Sequence, residues 1–238
     1  MSRPEGAAAG AGPQGTEPSA RSSQGTEPSA PSYGRYVGLL AVVILVLITI
    51  NTIVTKPNGG SGFAPGQQLA PFAVPLALGN LSGDANVATR AGEGSAGRLP
   101  ACQVRGPQIL NLCQLYEGAP VVLALFVDAG ACAAVLGDMQ ALSSSFPGVH
   151  FAAVAIKGQR AAVRRLVLGR GLGFPVGLDS DGALAVLYKV ASCPQLSFVL
   201  PGGAEQGRTV LSRVPRATLR ARIAALVAAA RTRGWRGG

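Results

Sequence analysis

The sequence is poor in aromatic residues, in charge and in histidine. Aromatics make up 5% of its 238 positions and charged residues 13%, and the one histidine is His150. A single histidine beside four cysteines, none of them spaced C-x-x-C, argues against a zinc centre. The formal net charge is +10, yet no basic run is interleaved with aromatics, so the groove that a single-stranded nucleic acid needs is missing. The scattered arginines suit a solvated face, or one turned toward anionic lipid. The glycine-rich stretch 83–97 lacks the strand–helix setting of a phosphate cradle. Nothing implies a metal or an organic cofactor.

What is present is apolar and unevenly spread. Hydrophobic residues reach 48%, mostly Ala, Val and Leu. Residues 1–36 hold few of them. They are Gly, Pro, Ser, Ala, Glu and Gln, and the heptapeptide QGTEPSA occurs at 14–20 and again at 24–30. Such a tract cannot bury enough apolar surface to offset its ordering entropy and is expected to be a disordered tail. The repeat is too short and polar for a solenoid unit.

Residues 37–54 (VGLLAVVILVLITINTIV) contain no charge. As a helix they span about 27 Å, close to the hydrocarbon thickness of a bilayer. Tyr33 and Tyr36 stand at one end like interfacial anchors. A cleavable signal peptide is the competing reading, but the run is long for one and no A-x-A site follows. One transmembrane helix is therefore expected. Arg21 and Arg35 before it, against Lys56 after it, favour a cytoplasmic N-terminus. The domain beyond would then be extracytoplasmic, where an even number of cysteines suits disulfides.

Residues 55–70 read as a Gly/Pro/Gln linker, 71–231 as one folded domain and 232–238 as a basic tail. Within the domain, 72–78 alternates like a short strand that Pro71 and Pro75 confine to an edge. Residues 103–115 suggest a hairpin turning at Arg105-Gly106-Pro107. The unbroken apolar run VVLALFV (121–127) has the length of a strand covered on both faces. Helix is expected over 131–144, strand over 149–156, helix over 159–170, strand over 174–178 and a short helix over 181–188. Two strands, 196–200 and 208–211, flank Pro201-Gly202-Gly203. A last helix, 217–231, carries Leu219, Ile223, Leu226 and Ala230 at i, i+4, i+7 and i+11. A β-α-β start closed by a late strand pair means an α/β mixed sheet with helices on both faces.

Three segments in order carry a resemblance: 65–78 (PGQQLAPFAVPLAL), 120–142 (PVVLALFVDAGACAAVLGDMQAL) and 174–203 (FPVGLDSDGALAVLYKVASCPQLSFVLPGG). Together they resemble the thioredoxin-like fold, and more narrowly the membrane-tethered thiol–disulfide proteins and redoxins of bacteria. The family's C-x-x-C is absent here, whether Cys132 takes the first position, with Val135 in the second, or the second, with Ala129 in the first. The peroxidase pattern fails too, with Ala129 at its hydroxyl position and Leu125 at its proline position.

A cysteine in the first turn of a helix sees unpaired N–H groups and the positive end of the dipole, which favour thiolate. Cys132 is expected there, with Asp128 opposing the effect if ionised. The resemblance implies that Pro194 is cis and that Cys193, just before it, packs against the start of the redox helix. Cys132 and Cys193 would then face each other, either as a redox couple or as a structural staple. In the first case Cys132 would attack a substrate disulfide and Cys193 would resolve the product. Cys102 and Cys113 flank the expected hairpin turn and would form a structural disulfide. Asp179 and Asp181 are expected to cap the short helix, and His150 to lie at the surface. Two functions follow from the resemblance: thiol–disulfide exchange through Cys132 and Cys193 on disulfide-bearing exported proteins, or a non-catalytic binding module whose cysteines are staples.

Overall fold

The computed structural model describes residues 33–54, 62–93 and 96–237. Both QGTEPSA copies and linker residues 55–61 lie outside the described residues. The chain divides into two units, Met1–Pro57 and Asn58–Gly238.

In the first unit α1 (Tyr33–Val54) is one 22-residue helix. Side chains are described over 36–49, and all are exposed. They include Leu39, Leu40, Val42, Leu45 and Leu47, an apolar surface on every side. The Thr49 hydroxyl donates to the Leu45 carbonyl at 2.7 Å, which satisfies it within the helix. Among the described residues no helix is long and apolar enough to cross a membrane.

The second unit is built around a four-stranded sheet. In chain order its elements are β1 (Ala73–Pro75), β2 (Ile109–Asn111), α2 (Leu112–Tyr116), β3 (Val121–Phe126), α3 (Ala134–Ser143), β4 (His150–Ile156), α4 (Arg160–Gly169), β5 (Val176–Asp179), α5 (Ala183–Leu187), β6 (Gln195–Val199) and α6 (Arg216–Thr232), with a short 3-10 turn at Ala101–Gln103. The strand order is β5-β4-β3-β6, and β1 pairs with β2 in a separate two-stranded ribbon. β3, β4 and β5 run parallel, and β6 is antiparallel to β3.

All six residues of β3 are buried. Val122, Ala124 and Phe126 face a core closed by Leu136 and Met139 of α3, Val163 of α4, and Leu219, Ile223, Leu226 and Ala230 of α6. Val121, Leu123 and Leu125 face the other core, with Phe72, Leu112, Leu184 and Tyr188. Strand period 2 on a sheet covered twice requires apolar residues at both parities, which is why VVLALF is unbroken.

Two expected elements differ. Residues 103–115 are not a hairpin, because β2 pairs with β1 about 35 residues upstream rather than with its own neighbours. Asn111 then caps α2, its side chain accepting from the Gln114 N–H. The expected strand at 208–211 reduces to one isolated bridge, Leu196 with Val210, and just before it Glu205 bridges Val199. Residues 62–69 lie along the same segment: Gln68 bridges Ala204, and the Phe63 N–H donates to the Thr209 hydroxyl at 2.8 Å.

Candidate active site

The chain leaves the sheet at Phe126, and Gly130, at φ +37°, lets it turn back before α3. The Cys132 N–H donates to Ala129 O and the Ala134 N–H to Ala131 O, so the turn is tight and of the i→i+3 kind. α3 begins only at Ala134, with Ala133 as its N-cap. Cys132 thus lies in the turn before the helix, not within its first helical turn as expected.

β6 supplies the opposite wall. Gln195 pairs with Leu125, which sets the start of β6 against the end of β3. Immediately before it the Cys193–Pro194 peptide is cis. Cys193 therefore meets the 127–132 loop, and it is bonded to Cys132 with the Cα atoms 5.4 Å apart, within bridging range. The Val127 N–H points at both sulfurs, 3.3 Å from Cys132 Sγ and 3.2 Å from Cys193 Sγ. Cys132 is 8% exposed and belongs to the core with Phe126, Ala133 and Leu136, whereas Cys193 is only partly buried and packs on that core from outside.

Charges around the bond come from neighbouring elements. The Arg170 guanidinium, at the end of α4, donates to the carbonyl of Ala133. Asp128 is exposed on the loop. A cleft of about 410 Å³ beside the loop is lined by Val127, Asp128, Ala129, Lys157 and Gln159. Below the site Gln195 is buried, its amide donating to Tyr188 O at 3.1 Å. Asp179 is buried at the end of β5; burial, reinforced by the neighbouring Asp181, pushes its carboxyl up to about 6. It accepts from the Leu184 N–H and so caps α5, whereas Asp181 accepts from the Ala85 N–H and pins a distant loop.

Cys102 and Cys113 are bonded away from this site, with Cα atoms 5.3 Å apart. Cys102 sits in the 3-10 turn and Cys113 in α2. Their neighbourhood is closed by an exposed Arg105–Glu117 ion pair and by the Asn111 amide, which donates to Ala101 O and Val104 O. His150 is exposed, its Nδ1 2.8 Å from Leu115 O.

Sequence reasoning missed Val127 and Arg170. A backbone N–H leaves no trace in residue identity, and Arg170 resembles every other arginine of the chain until α4 is packed beside α3.

No protein-family model and no curated protein matches the chain. Solved structures do. A candidate thiol:disulfide interchange protein DsbE of Chlorobium tepidum superposes with a TM-score of 0.52 at 17% identity, covering 69% of this chain and 99% of that one. A candidate protein disulfide isomerase of Bacteroides thetaiotaomicron gives 0.53 at 13% identity, covering 75% and 100%. The fold is thioredoxin-like. A secreted disulfide oxidoreductase of Mycobacterium tuberculosis is also similar, at 23% identity and a TM-score of 0.45 over 50% of this chain and 89% of that one. In this thioredoxin-like frame the disulfide joins the turn before α3 to the residue preceding the cis-proline.

Proposed function

We propose that the chain is a membrane-tethered, extracytoplasmic thiol–disulfide exchange protein that works through Cys132 and Cys193. The observation that carries the activity is the placement of this disulfide at one edge of the sheet, with one sulfur partly open to solvent and a shared backbone donor to both. A bond reachable by a substrate thiolate can exchange, and a donor common to both sulfurs stabilises whichever leaves as thiolate. Pro194 shapes the loop that presents Cys193. The thiol:disulfide interchange named for the Chlorobium protein supplies the reaction class. Tethering is supported by the uncharged run 37–54, which falls within α1. The charge difference across it supports a cytoplasmic tail (1–36) and an external domain (71–231) joined by the linker 55–70. The partners would be the bilayer and exported proteins bearing disulfides.

A second reading, a binding module with structural disulfides, is favoured by one observation: Val135 stands where a second motif cysteine would be. A redox titration of the full-length protein in glutathione buffers, with each cysteine mapped after alkylation, separates the two. A midpoint at roughly −270 to −120 mV for Cys132–Cys193 supports exchange, and one below about −300 mV supports a staple. Protease protection in sealed membrane vesicles tests the orientation, since an external domain is digested only from the outer side.

A further inference from the structure

We infer that the two cysteines are not interchangeable: Cys193 is the sulfur that exchanges with substrate, and Cys132 is the buried leaving and resolving thiol. This rests on the exchange reading above and reverses the order that the resemblance implies.

The argument is one of access and of leaving group. Thiolate attack on a disulfide needs an open path to the sulfur attacked, and it goes faster when the departing sulfur is the better-stabilised thiolate. Cys132 is 8% exposed, among Phe126, Ala133 and Leu136. A substrate sulfur could reach it only if the turn before α3 lifted away. Cys193 sits outside that core, and its hydrogen bond from Val127 lies at an exposed point, whereas the bond to Cys132 is partly buried. Apolar burial by itself makes the Cys132 sulfur a poorer leaving thiolate, and a neighbouring positive charge offsets this. The Val127 N–H serves both sulfurs, at 3.3 and 3.2 Å, and does not separate them, whereas Arg170 holds its positive charge at the carbonyl of the residue after Cys132, Ala133.

With the oxidised site as the starting point the electrons balance without another reagent. A substrate thiolate attacks Cys193 Sγ, a substrate–Cys193 bond forms, and the Cys132–Cys193 bond breaks. Cys132 departs with the electron pair as thiolate and then takes up a proton. The second substrate thiolate attacks the substrate sulfur of the mixed disulfide, and Cys193 departs as thiolate. The substrate dithiol has lost two electrons and the cysteine pair has gained them. In reverse, Cys193 thiolate attacks a substrate disulfide and Cys132 resolves the product.

The test uses the full-length protein in detergent. The oxidised chain is mixed with reduced glutathione, quenched with acid at short times and mapped by mass spectrometry. The expected first adduct is glutathione on Cys193, in at least about tenfold excess over Cys132. A second measurement uses Cys132→Ala and Cys193→Ala, each shown folded by circular dichroism and reacted with oxidised glutathione. Cys132→Ala, which leaves Cys193 free, should form the mixed disulfide faster by a similar factor. If the adduct appears first on Cys132, or Cys193→Ala reacts faster, exchange stands and the assignment falls. If no adduct forms on either cysteine and the wild-type bond resists the glutathione buffer, both the assignment and the exchange reading fail.

Discussion

The two disulfides span nearly equal Cα distances, 5.3 and 5.4 Å, yet they sit in different mechanical settings. Cys102–Cys113 closes a separation of 11 residues inside one local assembly of 3-10 turn, short strand and short helix. Cys132–Cys193 closes a separation of 61 and joins two elements on neighbouring strands of the main sheet. Chain entropy makes the first worth about 3 kcal/mol and the second about 4 kcal/mol. The larger difference is chemical. The first bond has the Asn111 amide and the Arg105 guanidinium around it, the latter donating to the Cys102 carbonyl at 3.2 Å, but among the described residues no N–H donor aimed at its sulfurs. The second has an N–H donor aimed at both sulfurs and one sulfur near solvent. The chemical environment of a disulfide, more than its geometry, decides whether it can be a reagent.

That contrast can be broken most decisively by activity. Cys193→Ala is expected to abolish thiol–disulfide exchange, measured as reduction of a disulfide peptide. The double variant Cys102→Ala/Cys113→Ala should retain it; loss of exchange in the double variant would end the distinction. In stability the two sites should lie closer together. Selective loss of the 132–193 bond should lower the unfolding free energy by about 4 kcal/mol and loss of 102–113 by about 3 kcal/mol, read from urea titrations of the corresponding double-alanine variants.

A pH-dependent background must be separated from both bonds, and it has a named source. Glu205 is buried beside β6, where burial pushes its carboxyl up to about 8 against the pull of the Phe198 N–H and the Ser197 hydroxyl. A carboxyl with a folded-state value raised above its unfolded one stabilises at low pH, and that stability drains away as pH rises through the folded value. Stability should therefore fall by a few kcal/mol between about pH 4.5 and pH 8, equally with the disulfides formed or reduced. Glu205→Gln should flatten that slope above about pH 6 in urea titrations, while below it the raised carboxyl of Asp179 adds a slope of the same sign. The smallest effect is expected at the exposed Arg105–Glu117 pair. Arg105→Ala should leave the melting temperature essentially unchanged, whereas a clear drop would mean that the local region depends on charge and not on its disulfide.

Legibility of the fold followed the range of the interactions. The spacing of Leu219, Ile223, Leu226 and Ala230 marked the inner face of α6, and all four are fully buried. The 103–115 segment misled because its turn residues, Arg105-Gly106-Pro107, are a local signal, whereas the partner of β2 is β1. Asp181 was readable as a cap by position, but its acceptor oxygen serves Ala85, 96 residues away. Cys132 was placed in the first turn of a helix expected over 131–144; the i→i+3 turn that delays α3 by three residues depends on how the loop leaves β3.

By itself the sequence determined the uncharged apolar run at 37–54, the doubly covered β3, the alternation of strands and helices from β3 to α5, and the absence of a C-x-x-C pair. Each of these is set by hydrophobic period and residue identity along a short stretch of chain. Tertiary structure decided which cysteine is buried, which N–H faces both sulfurs and which arginine stands beside the turn before α3. Those depend on β6 pairing with β3 and α4 packing beside α3, contacts between residues tens of positions apart that no local pattern encodes.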